Sequence, residues 1–120
     1  MKESVNYWVY PSIIKKKYSS AHDDELANSI INTVCSNTGV DKIMIASKTR
    51  KREVVEARHI AMFFIKKQTF LSLKKIGLYF GSRDHSTVIH ACQTVSDLME
   101  CNKKFNDKIS MIEYNMCFDK

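Results

Sequence analysis

Five consecutive side chains, Arg83-Asp84-His85-Ser86-Thr87, place a guanidinium, a carboxylate, an imidazole and two hydroxyls in one short stretch of a 120-residue chain. They follow Gly81-Ser82 and lead into an apolar run at helical spacing: Val88, Ala91, Val95 and Leu98, with Cys92 and Met99 beside it. That is the position of a first helical turn. Polar groups there suit the edges of nucleic-acid bases: Asp84 can accept from a cytosine amino group, and His85 can donate to or accept from base edges. Ser86 or Thr87 can bond bases or phosphates. On a helical wheel Ser86, Ile89, His90 and Gln93 lie opposite the apolar stripe.

Chemistry of other kinds finds no support. The chain has no nucleophile–base pair, no metal-ligand cluster and no G-x-x-x-x-G-K-[ST] phosphate loop. The histidines (His22, His59, His85, His90) do not pair with Cys35, Cys92, Cys101 and Cys117 at zinc-ligand spacing. The cysteines are widely and irregularly spaced, with no C-x-x-C, and read as small core hydrophobes in a reducing compartment. The expectation is a binding protein and not an enzyme, with no metal, no cofactor and no small-molecule substrate. No apolar run approaches the roughly 20 residues that cross a membrane. No signal peptide is visible at the N-terminus, so a cytoplasmic location is expected.

The elements that must position these groups are helices. Only three glycines and one proline occur, which argues against a loop-rich β fold. Residues 1–11 alternate loosely and read as an extended arm or short strand ending at Pro11, so residues 1–22 form an unassigned N-terminal arm. The pattern predicts a helix over 23–37, with Asp23, Asp24 and Glu25 in its first turn and Gly39 at its stop. A short helix at Asp41–Ala46 and a polar loop, Ser47-Lys48-Thr49-Arg50-Lys51-Arg52, come next. Residues 53–69 then form a helix that is apolar almost all round at Ile60–Ile65, the mark of a central core helix. Ser72 is a plausible N-cap for a short helix whose Leu73, Ile76 and Phe80 share a face. Gly81 can take the left-handed conformation that ends it. A helix from near Asp84 to Glu100 and a last one over about 102–117, burying Phe105, Ile109, Ile112 and Met116, complete the chain. Two helices joined across Gly81-Ser82-Arg83 make a helix-turn-helix, whose second helix presents its N-terminal residues to the major groove.

Charge agrees with that reading. The net charge is +6, but between Lys42 and Arg83 eleven basic residues stand against Glu53 and Glu56, a net +9 that leaves −3 elsewhere. A basic middle between less basic ends is the electrostatic footprint of a protein that meets a polyanion.

The string Gly81-Ser82-Arg83-Asp84-His85-Ser86-Thr87-Val88-Ile89-His90-Ala91-Cys92 closely resembles the signature of the DNA-binding domain of the bacterial replication initiator DnaA, in which G-x-R-D-H-[ST]-T-V runs into the recognition helix. Ala57-Arg58-His59-Ile60-Ala61-Met62, Ser72-Leu73 through Ile76-Gly77, and Ser47-Lys48 leading into Arg52 keep that family's spacing, so the resemblance covers about residues 40–117. It implies an all-α, Trp-repressor-like helix-turn-helix bundle over residues 23–120. It implies binding to double-stranded DNA at DnaA-box-like, A/T-rich sites, in replication initiation or its regulation. By the same resemblance Arg52 would enter the minor groove, and Asp84, His85 and Ser86 would read bases. Arg83 and Thr87 would hold phosphates, and Arg58, Lys66 and Lys74 would neutralise backbone charge.

Three features depart from the family pattern. Thr94 stands where the family usually has a basic residue, Glu53 and Glu56 lie in a stretch that it keeps more basic, and Lys74 replaces a residue that is often apolar. The initiator's nucleotide-binding motif is missing from this sequence. ATP-driven origin melting is therefore not implied, and the unmatched arm and the first Met favour a small independent protein over an excised domain. The alternative function is a protein-interaction module that docks an initiator or replisome protein, with Tyr7-Trp8-Val9-Tyr10 as its docking arm and DNA binding lost.

Overall fold

The computed structural model describes residues 20–118, all of whose regular elements are helices. The order is α1 (Ser20–Thr38), α2 (Lys42–Ile45), α3 (Arg52–Gln68), α4 (Leu73–Leu78), α5 (His85–Cys101) and α6 (Lys103–Phe118). Residues 1–19 of the expected arm lie outside the described span. Ser20, assigned to that arm from sequence, already begins α1.

The all-α helix-turn-helix bundle expected from the apolar spacing is the architecture found. The centre is α3. Its Ala57, Ile60, Ala61, Met62, Phe63, Phe64 and Ile65 are all buried, so it has apolar neighbours on every side. Helices α1, α2, α4 and α5 pack around it, and α6 closes the bundle against α1 and α5. Each large apolar side chain moved from water into this core stabilises the fold by roughly 1.5–3 kcal/mol. The basic pair Lys66-Lys67 falls in the last turn of α3, where it complements the partial negative charge of the helix end.

Helix α1 stops where the sequence suggested, with Gly39 N–H donating to Cys35 O at 2.9 Å. Its N-terminal half reaches across to the α3–α4 corner. Buried Asp23 accepts from the Phe70 N–H at 3.2 Å, and the Tyr79 hydroxyl donates to Asp24. These two bonds add to the burial of Ile76 and Phe80 in docking the short α4, which as six isolated residues would not hold a helix.

Two expectations about the core need correction. Leu98 belongs to the periodic stripe of α5 but is 37% exposed, because α5 there borders an open groove instead of a helix face. Among the cysteines, Cys92 is buried, its thiol pushed up to about 12 by desolvation, and Cys35 is half-buried, but Cys101 is exposed. No helix among the described residues is long and apolar enough to cross a membrane.

Candidate nucleic-acid interface

The corner between α4 and α5 is built by three local devices. Ser72 caps α4, its hydroxyl accepting from Lys75 N–H at 3.1 Å. Gly77 then lets the chain fold back on itself. The Arg83 N–H donates to Gly77 O at 3.0 Å, and a Cβ on Gly77 would stand 1.9 Å from Arg83 O. Gly81 takes φ +84°, as its sequence position suggested, and its bare Cα faces Ala46 O, 2.5 Å from where a Cβ would lie. Ser82 follows at φ +60°, so the turn runs through two left-handed residues before α5 begins.

Asp84 starts the second helix. Its Oδ1 accepts from Thr87 N–H at 3.0 Å and from the Thr87 hydroxyl at 3.1 Å. The backbone bond from Thr87, then the hydroxyl bond, hold the Asp84 carboxyl below its ordinary range. One oxygen of the expected base reader is therefore engaged as a helix cap. Thr87 is similarly committed, since a phosphate would have to draw its hydroxyl away from Asp84. His85 and Ser86, in the first turn of α5, are exposed, as are Ile89, His90 and Gln93 on the outward face.

Basic residues frame this turn in an unexpected way. Arg58 is not on the surface. It is 3% exposed, and its guanidinium donates to the carbonyls of Ile45 (2.9 Å), Ser47 (3.0 Å) and Thr49 (3.4 Å). Arg83 donates from Nε to Phe80 O and from Nη2 to Ser47 O, both at 2.9 Å. Burial, and secondarily the neighbouring Arg83, press the Arg58 pKa down, but carbonyl oxygens compensate the charge. The loop after α2 is thus nailed from two sides. Its own Ser47 hydroxyl donates to Met44 O at 2.7 Å and accepts from Thr49 N–H at 3.3 Å.

Between that loop and the turn lies an open cleft of about 580 Å³. Lys48, Arg50, Arg58, His59, Arg83, Asp84 and Thr87 line it. A second groove of about 430 Å³ adjoins it, lined by Arg50, Arg52, Val55, Glu56, His59, Leu98, Asn102 and Phe105. His59 and His90 meet edge to face between α3 and α5, with ring centroids 6.3 Å apart. Desolvation, then the charges of His90, Arg58 and Arg83, lower the His59 pKa against an opposing pull from Glu56.

The structure therefore brings Arg58, Arg83, Asp84 and Thr87 together, with His85 and Ser86 beside them. Lys74 is exposed on α4. Lys66 is half-buried on α3, eight residues beyond Arg58 and so roughly 12 Å further along the axis, and lines neither cleft. Arg52, expected on the loop, is the first residue of α3 and opens on the second groove. Sequence reasoning passed over Lys48, Arg50 and His59. The loop's basic character was visible, but nothing in it singled out Arg50, which alone among the loop's side chains borders both clefts.

A capped short helix, a left-handed turn and a second helix with an exposed polar first turn, set in a basic surround, define the class of helix-turn-helix DNA-binding domains. The family described as bacterial dnaA protein helix-turn-helix matches residues 27–95, from within α1 to Val95 on α5. Relatives named chromosomal replication initiator protein DnaA agree. That of Bacteroides fragilis is 44% identical over 86 residues, covering 72% of this chain and 18% of the relative. That of Flavobacterium psychrophilum is 38% identical over 104 residues, 87% of this chain and 22% of the relative. That of Treponema pallidum (strain Nichols) is 31% identical over 111 residues, 92% and 24%. The chain belongs to the DnaA helix-turn-helix family, and spans about a fifth of the length of these relatives.

Proposed function

We propose that this chain binds double-stranded DNA sequence-specifically, at sites resembling the DnaA box, in replication initiation or its regulation. The observation that carries the proposal is the exposed first turn of α5, with His85 and Ser86 free of the core and the Arg58–Arg83 scaffold holding a basic loop beside it. His85, Ser86 and the second carboxylate oxygen of Asp84 read base edges in the major groove. Arg83 keeps its Nη1 donors for a phosphate, and Lys48, Lys66 and Lys74 neutralise phosphates flanking the reading turn.

An arginine of the loop–α3 junction enters the neighbouring minor groove, where a narrow A/T tract concentrates negative potential. The family resemblance assigns that part to Arg52, and its place at both clefts makes Arg50 the second candidate. Arg58 contributes by fixing the loop. The functional unit is the helical bundle that begins with α1 at Ser20.

The deciding experiment is a titration of a DnaA-box duplex and a scrambled duplex of equal length across a series of salt concentrations. The box duplex binds more tightly at each salt concentration. If roughly five to seven phosphates are neutralised, log K falls against log salt with a slope of about −5 to −6. Equal affinity for both duplexes refutes specific reading. A slope near zero, or no binding at low salt, refutes DNA binding and favours a protein-docking module.

A further inference from the structure

The reading face of α5 carries one side chain that polar recognition does not use. Ile89 is 42% exposed, one turn into the helix, between His85 and Ser86 on one side and Gln93 on the other. Its neighbours are committed elsewhere. His90 is turned edge-on to His59 of α3, and the Gln93 amide donates to Asp97 at 3.0 Å. A β-branched apolar group is thus left exposed on the face just behind the first turn. Its two methyl-bearing branches are stiff at χ1, so it presents a fixed apolar surface.

In the major groove the one apolar feature of a base edge is the thymine methyl. We infer that Ile89 is a specificity-determining residue, its side chain packing on a thymine C5-methyl next to the bases read by His85 and Ser86. The inference rests on the proposed DNA binding and adds to it a preference that hydrogen bonds cannot supply, because the methyl group neither donates nor accepts. It also predicts that thymine and uracil, alike in pairing, are told apart at this position.

The test uses the full chain and a duplex enriched by it from a random pool. Each thymine of that duplex is replaced in turn by deoxyuridine, which lacks only the methyl. Replacement at one or two positions lowers affinity about fourfold, the weight of one buried methyl group. In Ile89→Ala that penalty disappears at the same positions, and in Ile89→Val it is largely kept. Circular dichroism confirms the helices of each variant, and the exposure of Ile89 makes their loss unexpected.

The inference is overturned if no deoxyuridine substitution changes affinity in the parent. It is equally overturned if the penalty persists in folded Ile89→Ala. Both results leave sequence-specific DNA binding standing. Failure to enrich any duplex removes the DNA-reading proposal and this inference with it.

Discussion

Arg58 and Arg83 donate to the same atom, the carbonyl oxygen of Ser47, at 3.0 and 2.9 Å. One guanidinium comes from the core helix and the other from the turn before the reading helix. Ser47 lies on the basic loop, so this single acceptor ties together the three segments that a DNA duplex would meet. Two cations sharing one carbonyl repel each other. The geometry persists because Arg58 also bonds Ile45 and Thr49, and Arg83 also bonds Phe80.

Arg58→Ala should therefore act through stability and loop order. It leaves the carbonyl of buried Ile45 without its side-chain donor, while Ser47 keeps only the bond from Arg83, and an unmet buried group costs about 1–3 kcal/mol. Arg58→Lys recovers only part of the loss, because a compact ammonium cannot span carbonyls that the planar fork reaches from Nε and Nη2. Urea denaturation of the three proteins measures this. An unchanged midpoint for Arg58→Ala would show that the loop is held without it.

Gly77→Ala should be among the most damaging substitutions of its size. The new Cβ would lie 1.9 Å from the Arg83 carbonyl oxygen, a backbone atom that cannot swing aside without opening the turn. A loss of at least about 3 kcal/mol is expected, with a melting temperature to match. Alanine here otherwise favours a helix by about 1 kcal/mol, so a stabilised variant would mean that the turn closes differently.

Much of this corner was legible in the sequence, for reasons that are local. Ser72 caps its helix because a short oxygen side chain satisfies the free N–H groups that follow it, whereas the cap made by Asp84, expected as a base reader, emerged only from the structure. Gly81 turns left-handed because it lacks a Cβ to clash. Helix α3 is central because its apolar residues leave no polar face. What could not be read depends on contacts between distant residues. Arg58 looks like any surface arginine until carbonyls nine to thirteen positions upstream fold over it. Gly77 lies within a helical pattern, and only the returning Arg83 backbone explains it. The parts of Arg50 and Arg52 turn on where the loop becomes helix, a boundary that spacing fixes to within a residue or two.

That boundary makes the two arginines separable. Arg50→Ala and Arg52→Ala should both leave the fold intact, since both side chains are exposed. The variant that loses its preference for A/T over G/C pairs at one edge of the site identifies the minor-groove residue. Affinities for edge-substituted duplexes measure it. If neither variant alters that preference, the minor-groove contact is absent.

Stability should also depend on pH through His59. Its folded pKa lies below the ordinary 6.5, first because of burial and then because of His90, Arg58 and Arg83. A depressed histidine favours the folded state when neutral, so its contribution is present above pH 6.5 and is lost as pH falls toward the folded value. His59→Gln should flatten the decline in unfolding free energy between about pH 7 and 5. A decline of the same steepness in the variant would assign the dependence to other groups.

Reading and anchoring should separate between α5 and the lysines. His85 is exposed in the first turn of α5, where a side chain reaches base edges. Lys74 is exposed on α4, and Lys66 is half-buried near the end of α3. His85→Ala should remove discrimination between the box and scrambled duplexes while leaving much of the affinity for scrambled DNA. A lost base contact is worth about 1–3 kcal/mol, or roughly 5- to 150-fold. Lys66→Ala and Lys74→Ala should weaken both duplexes alike and reduce the salt slope by about 1 each, because phosphates carry no sequence directly. Lys66 gives the sharper comparison, since it lines neither cleft: an unchanged slope in Lys66→Ala would confine the DNA footprint to the turn and the loop. Paired affinities on both duplexes, with circular dichroism as a folding control, decide the matter. Equal losses on both duplexes for folded His85→Ala would make His85 an anchor, and specificity would then have to come from Ser86, Asp84 Oδ2 and the apolar contact of Ile89.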